Sequence, residues 1–456
     1  ADSGVDLTTP CYVDGASNGA NANRDVLVIV PESSLTAGAG KLNATEYFVA
    51  DHNQIGATFG VAYSRAANSI FAAAFAKRHT AFGPGGTGAI YKIDLNGDEP
   101  TAPITSTNAT NFVDLNALFG VNTAGVNPHP DTGTDFNRDP NAYDAVGKVG
   151  LGGLAMSESE NVLWTINLAD RKLYEIPLEG TLESPVAPTT SANISTWPAS
   201  GDLTTLPGLT GTASDIRPFA LKCYRGELYI GMVNTAESTV VYDVGTNVIS
   251  NTGDRSQMRG YIYKFNPDTD TFTKLLEFPL NYARGQAIDF CNNNAQAEFL
   301  PWVSIYDSDV MLNATMGTTG GSIGERAYPQ PWIVDIEFDE EGKMLIGMRD
   351  RFADQHGYNK LPPSTLDSDP NTSFTADAAG DILVATINTT DKTTYVLENN
   401  SSNGTNGAPF GSTRGANKGE GPGGGEFFFD DRYRPSGAPS DGSGCSDSND
   451  QDPILD

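Results

Sequence analysis

The sequence is short of the residues that build most catalytic and metal centres. In 456 residues it has four histidines, four cysteines and four tryptophans. His52, His79, His129 and His356 lie far apart, so there is no His-Glu-x-x-His pair on a helix face and no Cys-x-x-Cys partner for zinc. Long apolar runs are missing too. The longest, Ser69 to Ala76, falls well below the roughly 18 residues a membrane helix requires, so membrane attachment by a helix of this chain is not expected. Positive charge is scarce: 28 Lys and Arg stand against 57 Asp and Glu, a formal net charge of −29. Such a field repels nucleic-acid phosphate and anionic lipid, which argues against a nucleic-acid partner. It suits solubility outside a cell and attracts divalent cations.

What is abundant is turn-forming residue. With 49 Gly and 27 Pro, the chain suits many short strands joined by tight turns better than helices. A unit of strand, polar turn, strand and third strand recurs with irregular spacing. Its first strands are Gly60–Ser64, Gly153–Ser157, Phe219–Cys223 and Val334–Phe338. The second strands are Ser69–Phe75, Asn161–Asn167, Glu227–Val233 and Lys343–Met348, rich in residues that favour half-buried strands. The third strands are Gly88–Asp94, Arg171–Ile176, Gly260–Phe265 and the weaker Asp381–Thr386. Tyr91, Tyr174 and Tyr263 share one register in this third strand. Outer strands at Asn111–Leu115, Thr271–Leu276 and Thr394–Leu397 complete four-stranded antiparallel blades.

This pattern predicts an all-β fold, a β-propeller of four-stranded antiparallel blades with long interblade loops at 116–148, 179–214 and 282–330. Arg24–Val30, Thr45–Val49 and Glu426–Phe429 supply material for further blades. Six is the expected number, with five or seven also consistent. A pair of β-sandwiches is the competing architecture, and the shared tyrosine register favours radial repetition. The propeller is assigned to residues 1–430, and 431–456 read as an acidic Gly/Ser/Asp-rich tail.

Four cysteines in a chain that otherwise reads as extracellular allow up to two disulfides in three pairings. Cys11–Cys445 would clamp the ends while Cys223–Cys291 stapled the middle. Buried thiols are the alternative. The opening Ala1-Asp2-Ser3-Gly4 reads like a mature end left after signal cleavage, and sequons at Asn43, Asn108, Asn193, Asn313, Asn371, Asn388 and Asn403 suit surface loops.

The runs Ile55–Leu95 and Val149–Tyr174, with Thr9–Gly15, Asp25–Val28, Arg217–Ala220 and Gly421–Phe427, resemble bacterial secreted or cell-surface proteins that pair a propeller-like region with Sdr-type B-like repeats. The resemblance implies an exported envelope or matrix component with a structural or adhesive role and no catalytic residues to carry over.

Several motifs carry residue types that metal binding or catalysis uses. Asp94-x-Asn96-x-Asp98 and Asp135-x-Asn137-x-Asp139, the latter with Asp144 nearby, space oxygen ligands as a calcium loop does, yet lack the Gly and Glu of an EF-hand and suit polar turns equally. Gly320–Gly324 matches the nucleophile-elbow pattern around Ser322 but lacks the strand-to-helix context. His79, beside Gly83–Gly86, reads as a structural hydrogen bonder. Asp335, Glu337 and Asp339 alternate on one solvated strand face. Loops leading to inner strands nominate Asp215, Arg217, Arg284 and Gln330 as channel-mouth residues.

The resulting expectation is a secreted, extracellular or cell-surface structural or adhesive protein. It would be calcium-stabilised, without an organic cofactor, and partnered by copies of itself, other envelope or matrix proteins, or polysaccharide. A secreted propeller hydrolase or lyase acting on polysaccharide is one rival. The other is a carbohydrate-binding adhesin, which would need Trp302 or Trp332 exposed in a groove.

Overall fold

The computed structural model describes residues 7–30, 47–95, 109–130, 135–243, 245–281, 299–315, 325–376 and 380–397. The fold is all-β, of the β-propeller class, with five blade-type sheets among the described residues. The expected six becomes five because the Glu426–Phe429 segment lies outside the described residues. The acidic tail lies outside them as well.

A three-stranded sheet pairs Leu7–Pro10 with Asp25–Val30 and that strand with Tyr47–Asp51, both antiparallel. The first four-stranded blade runs Thr58–Ser64, Ser69–Ala74, Ala89–Asp94 and Ala109–Asp114 in consecutive antiparallel order. The second runs Leu151–Met156, Val162–Asn167, Lys172–Pro177 and Ser195–Trp197. The third is ordered Ile216–Tyr224, Glu227–Asn234, Arg259–Asn266, Thr271–Pro279. The last is Pro331–Phe338, Met344–Asp350, Asp381–Ile387 and Tyr395–Leu397. The predicted strands are present in each, displaced by a few residues at their ends. The outer strand Ser195–Trp197 falls inside what the sequence presented as an interblade loop.

By contact the chain forms two compact units: residues 1–206, 218–228 and 266–270, and residues 207–217, 229–265 and 271–456. In the first unit, the first and second blades pack face to face. The approach is close enough that a Cβ on Gly60 would sit 2.5 Å from the Gly152 carbonyl oxygen, so only glycine serves there. Phe59, Phe75 and Phe219 meet at ring-centroid separations of 4.9 to 6.0 Å, tilted or edge to face, the arrangement that ring quadrupoles prefer. Two apolar clusters fill the spaces beside the first blade. One includes Val26, Ile70, Ala72 and Tyr91; the other includes Phe71, Ile90, Leu154 and Ile176. Each fully buried aliphatic or aromatic side chain of this kind contributes about 1.5–3 kcal/mol.

The repeated tyrosines have a common use. Tyr91, Tyr174 and Tyr263 are buried in third strands. Each hydroxyl reaches out of the apolar layer to a polar group of a loop: Gly85 N–H, the Asp170 carboxylate and the Pro207 carbonyl, respectively. Burial pushes all three phenols far above their ordinary pKa.

Candidate functional site

The most concentrated buried chemistry in the first unit lies beyond the end of strand Ser69–Ala74. The chain turns at Lys77–Thr80, closed by the Thr80 N–H on the Lys77 carbonyl. The turn places His79 in the left-handed region at φ 72, where a side chain is uncommon. Its carbonyl accepts from Gly15 N–H, while Ala81 N–H donates to the Gly15 carbonyl, which pins the segment near the chain start. The residue preceding it, Arg78, is buried under the ring of Tyr143 and directs its guanidinium at the carbonyls of Arg138 and Asp139.

Asp139 closes the arrangement. Its side chain is fully buried, its φ is 34, and Pro140 follows. Oδ2 accepts from His79 N–H at 2.9 Å and from His129 Nδ1–H at 2.8 Å. His79 in turn donates its own Nδ1–H to the Phe136 carbonyl. The His129 ring stacks on Phe136 and lies 5.5 Å from Phe82. Among the described residues, Oδ1 of Asp139 and Nε2 of His129 have no hydrogen-bond partner, and neither ring nitrogen of the buried His52 meets one in good geometry. Burial depresses the pKa of His52; the Ala81 backbone opposes that, His129 adds to it and Asp14 opposes it. Three of four histidines thus converge although their spacing in sequence gave no sign of it. Asp139, which two of them contact, was legible only as part of a turn motif.

The second unit holds a different buried cluster. Arg351, fully buried, stacks over Trp302 at 4.2 Å and donates to the Val303 carbonyl and Gln330 Oε1. Gln330 Oε1 also accepts from Val303 N–H, its Nε2 donates to Gln355, and its backbone N–H is held by Asp350. The His356, Tyr306 and Phe352 rings lie nearly parallel, with the imidazole 4.8 Å from Tyr306 and 5.7 Å from Phe352. Trp302 and Trp332 are buried and meet edge to face at 5.8 Å, so neither lines an exposed groove.

The remaining sequence candidates scatter. Asp215 is buried and caps Ser238, accepting from both its N–H and its hydroxyl. Arg217 faces Glu237 at 3.8 Å. Arg284 lies outside the described residues, as do Asn96, Asp98 and Ser322. Asp94 is held by Lys92 and the Ser69 hydroxyl. Asp135 and Asn137 are exposed while Asp139 turns inward, and Asp144 pairs with Lys148 at 2.6 Å. The three side chains of the Asp135-x-Asn137-x-Asp139 spacing thus differ in burial, two at the surface and one inside. Among the described residues no three His, Cys, Asp or Glu side chains converge as a metal site. Cys11 and Cys223 are half-buried, and burial pushes the Cys223 thiol up; Cys291 and Cys445 lie outside the described residues.

The blade-type sheets define a β-propeller. No family model matches the chain. In sequence it is similar to two proteins of Dictyostelium discoideum: Colossin-A, 27% identical over 78% of this chain and 3% of that protein, and Colossin-D, 27% identical over 75% of this chain and 30% of that protein. The chain spans less than a third of either. Among solved structures it is similar to a GH43 β-1,3-galactosidase in complex with galactodeoxynojirimycin, at 9% identity and TM-score 0.36, covering 87% of this chain and 91% of that one. The resemblance to bacterial Sdr-type surface proteins is thereby overturned. The proteins it is similar to in sequence are eukaryotic.

Proposed function

We propose that this chain is a structural or adhesive propeller module of a larger extracellular or cell-surface protein, acting through its surface and by association with copies of itself or matrix partners. The observation that carries this reading is the fate of the polar side chains nominated for a channel mouth. Asp215 and Gln330 spend their hydrogen-bonding capacity on neighbours in the fold, and Arg217 is turned toward the Glu237 carboxylate at 3.8 Å. A catalytic group must keep some of that capacity for a substrate. The charge of −29 supports exposure to solvent and cations on the outer surface. The small share of each relative that the chain spans supports a role as one module among others.

The test is multi-angle light scattering on the purified chain across a concentration series, with calcium and then with chelator, alongside a polysaccharide depolymerisation screen. Assemblies that grow with concentration support the module, and sensitivity to chelator would assign calcium to the interface between copies. A monomer at every concentration that shortens a polysaccharide would replace this reading with the hydrolase or lyase.

A further inference from the structure

From the first unit's buried cluster we infer that the protein cuts its own chain at the Asp139–Pro140 bond. Four features meet at this one peptide. The bond joins an aspartate to a proline, the peptide link in which the departing nitrogen is a tertiary amide and the neighbouring carboxyl group reaches its own main-chain carbonyl through a five-membered ring. Asp139 is held at φ 34, left-handed backbone that a non-glycine residue before proline strongly disfavours. The carbonyl to be attacked accepts a hydrogen bond from the Arg78 guanidinium at 3.2 Å, so the charge that develops on its oxygen meets a fixed cation in a buried site. The attacking atom is set apart from the rest of the carboxyl group. His129 Nδ1–H and His79 N–H both occupy Oδ2, while Oδ1 has no partner among the described residues.

The chemistry needs only water and a proton. Oδ1 of Asp139 attacks the Asp139 carbonyl carbon, forming a C–O bond. The C–N bond to Pro140 breaks, and the proline nitrogen takes up a proton from solvent on the exposed side where Pro140 lies. The five-membered anhydride left on Asp139 is opened by one water, giving a C-terminal aspartate and a new chain starting at Pro140. Arg78 and Asp139 are the catalytic residues; His129 and His79 are positioning residues. Arg78, His79 and His129 are the charged or titratable groups on the reacting aspartate, with His52 acting on His129 one layer out. Strand Thr58–Ser64 before the bond and strand Leu151–Met156 after it belong to packed blades of the same unit, so the two pieces stay together after the cut.

The chain carries its own reference. At Asp369–Pro370 the aspartate is exposed and the proline half-buried, the Asp369 backbone is not left-handed, and its carbonyl is occupied by the Thr372 N–H. The experiment incubates the folded full chain at mildly acid and neutral pH and follows both bonds by mass spectrometry. The expected result is a Pro140 N-terminus appearing at least about tenfold faster than a Pro370 N-terminus, a difference equivalent to about 1.4 kcal/mol in the barrier. In urea the two rates converge, and hydroxylamine traps the anhydride as a hydroxamate on Asp139. Arg78→Lys slows the first cut and leaves the second alone. His129→Phe slows it, and His129→Asn, which still donates to Oδ2, restores it. Asp139→Asn abolishes it; should that variant not fold, Pro140→Ala keeps the aspartate and slows the cut by removing the tertiary amide. Equal rates at the two bonds in the folded chain, or undiminished cutting in Asp139→Asn, would overturn the proposal.

Discussion

The two buried polar clusters use similar residues to opposite ends. Around Arg351 and Gln330, side-chain donors and acceptors meet one another: the glutamine oxygen takes two donors, its amide gives to Gln355, and the guanidinium lies flat on Trp302. Around Asp139, a carboxylate oxygen, an imidazole nitrogen and both nitrogens of His52 are left over. Paired buried donors and acceptors such as those of Arg351 and Gln330 add rigidity, whereas a buried carboxylate oxygen left over costs stability and persists where that capacity has a use. The first cluster is therefore read as a fastener and the second as the place where the molecule keeps chemistry in reserve.

This contrast can be broken from either side. The largest expected effect is on the fastener. Arg351→Met removes two hydrogen bonds, leaves the Val303 carbonyl and Gln330 short of donors and loses the stacking on Trp302. A loss of about 3–5 kcal/mol in urea unfolding is expected. Gln330→Met, which strands the Val303 N–H and one Arg351 donor, should cost about 1–3 kcal/mol by the same measurement. If both variants unfold at the wild-type midpoint, the cluster is no fastener and the comparison fails.

The reserve cluster should show itself through pH. His52 has a folded pKa below its ordinary 6.5, chiefly because burial disfavours the imidazolium. Above 6.5 the ring is neutral in both folded and unfolded chain and contributes no pH dependence. Below 6.5 the unfolded chain binds a proton that the folded chain refuses until its lower pKa is reached, so stability falls as pH drops through that window. Comparing urea midpoints at about pH 7.5 and about pH 5.5, wild type should lose more than His52→Gln, which has no proton to refuse. Equal losses would remove His52 from the account.

The blades were legible in the sequence because a strand with one face buried writes its period of two into the chain, and because Tyr91, Tyr174 and Tyr263 each had to send a hydroxyl to a loop. Ser195–Trp197 was not legible: three residues are too short to show a period, and its partner strand Lys172–Pro177 is some twenty residues earlier. The Asp139 cluster was less legible still. Its members come from around 52, 78–79, 129 and 139, so no local spacing encodes their meeting, and the visible Asp-x-Asn-x-Asp rhythm pointed toward calcium when the carboxylate in fact faces two histidines. What the sequence did display there was the Asp139-Pro140 dipeptide, whose meaning depends on a backbone angle that only the fold supplies.

The smallest expected effect sits at Glu160, where the turn of the second blade meets the turn of the first. Its carboxylate takes the Ser64 hydroxyl at 2.7 Å and the Ala66 N–H at 3.0 Å, with Arg65 at 3.5 Å. Burial pulls its pKa up, but the Ala66 N–H, the Ser64 hydroxyl and Arg65 outweigh that and hold the carboxyl below its usual range. A depressed acid adds stability above its unfolded pKa, and that addition fades as pH falls through the folded one. Because Arg65 is 82% exposed, solvent screens the ion pair, and the two hydrogen bonds carry what remains. Glu160→Gln should lower stability by about 0.5–1 kcal/mol at neutral pH and by less in acid, with the difference between variant and wild type little changed by added salt. A difference that collapses in salt would assign the contact to Arg65 instead, and would make this corner of the first unit an electrostatic joint and not a hydrogen-bonded one.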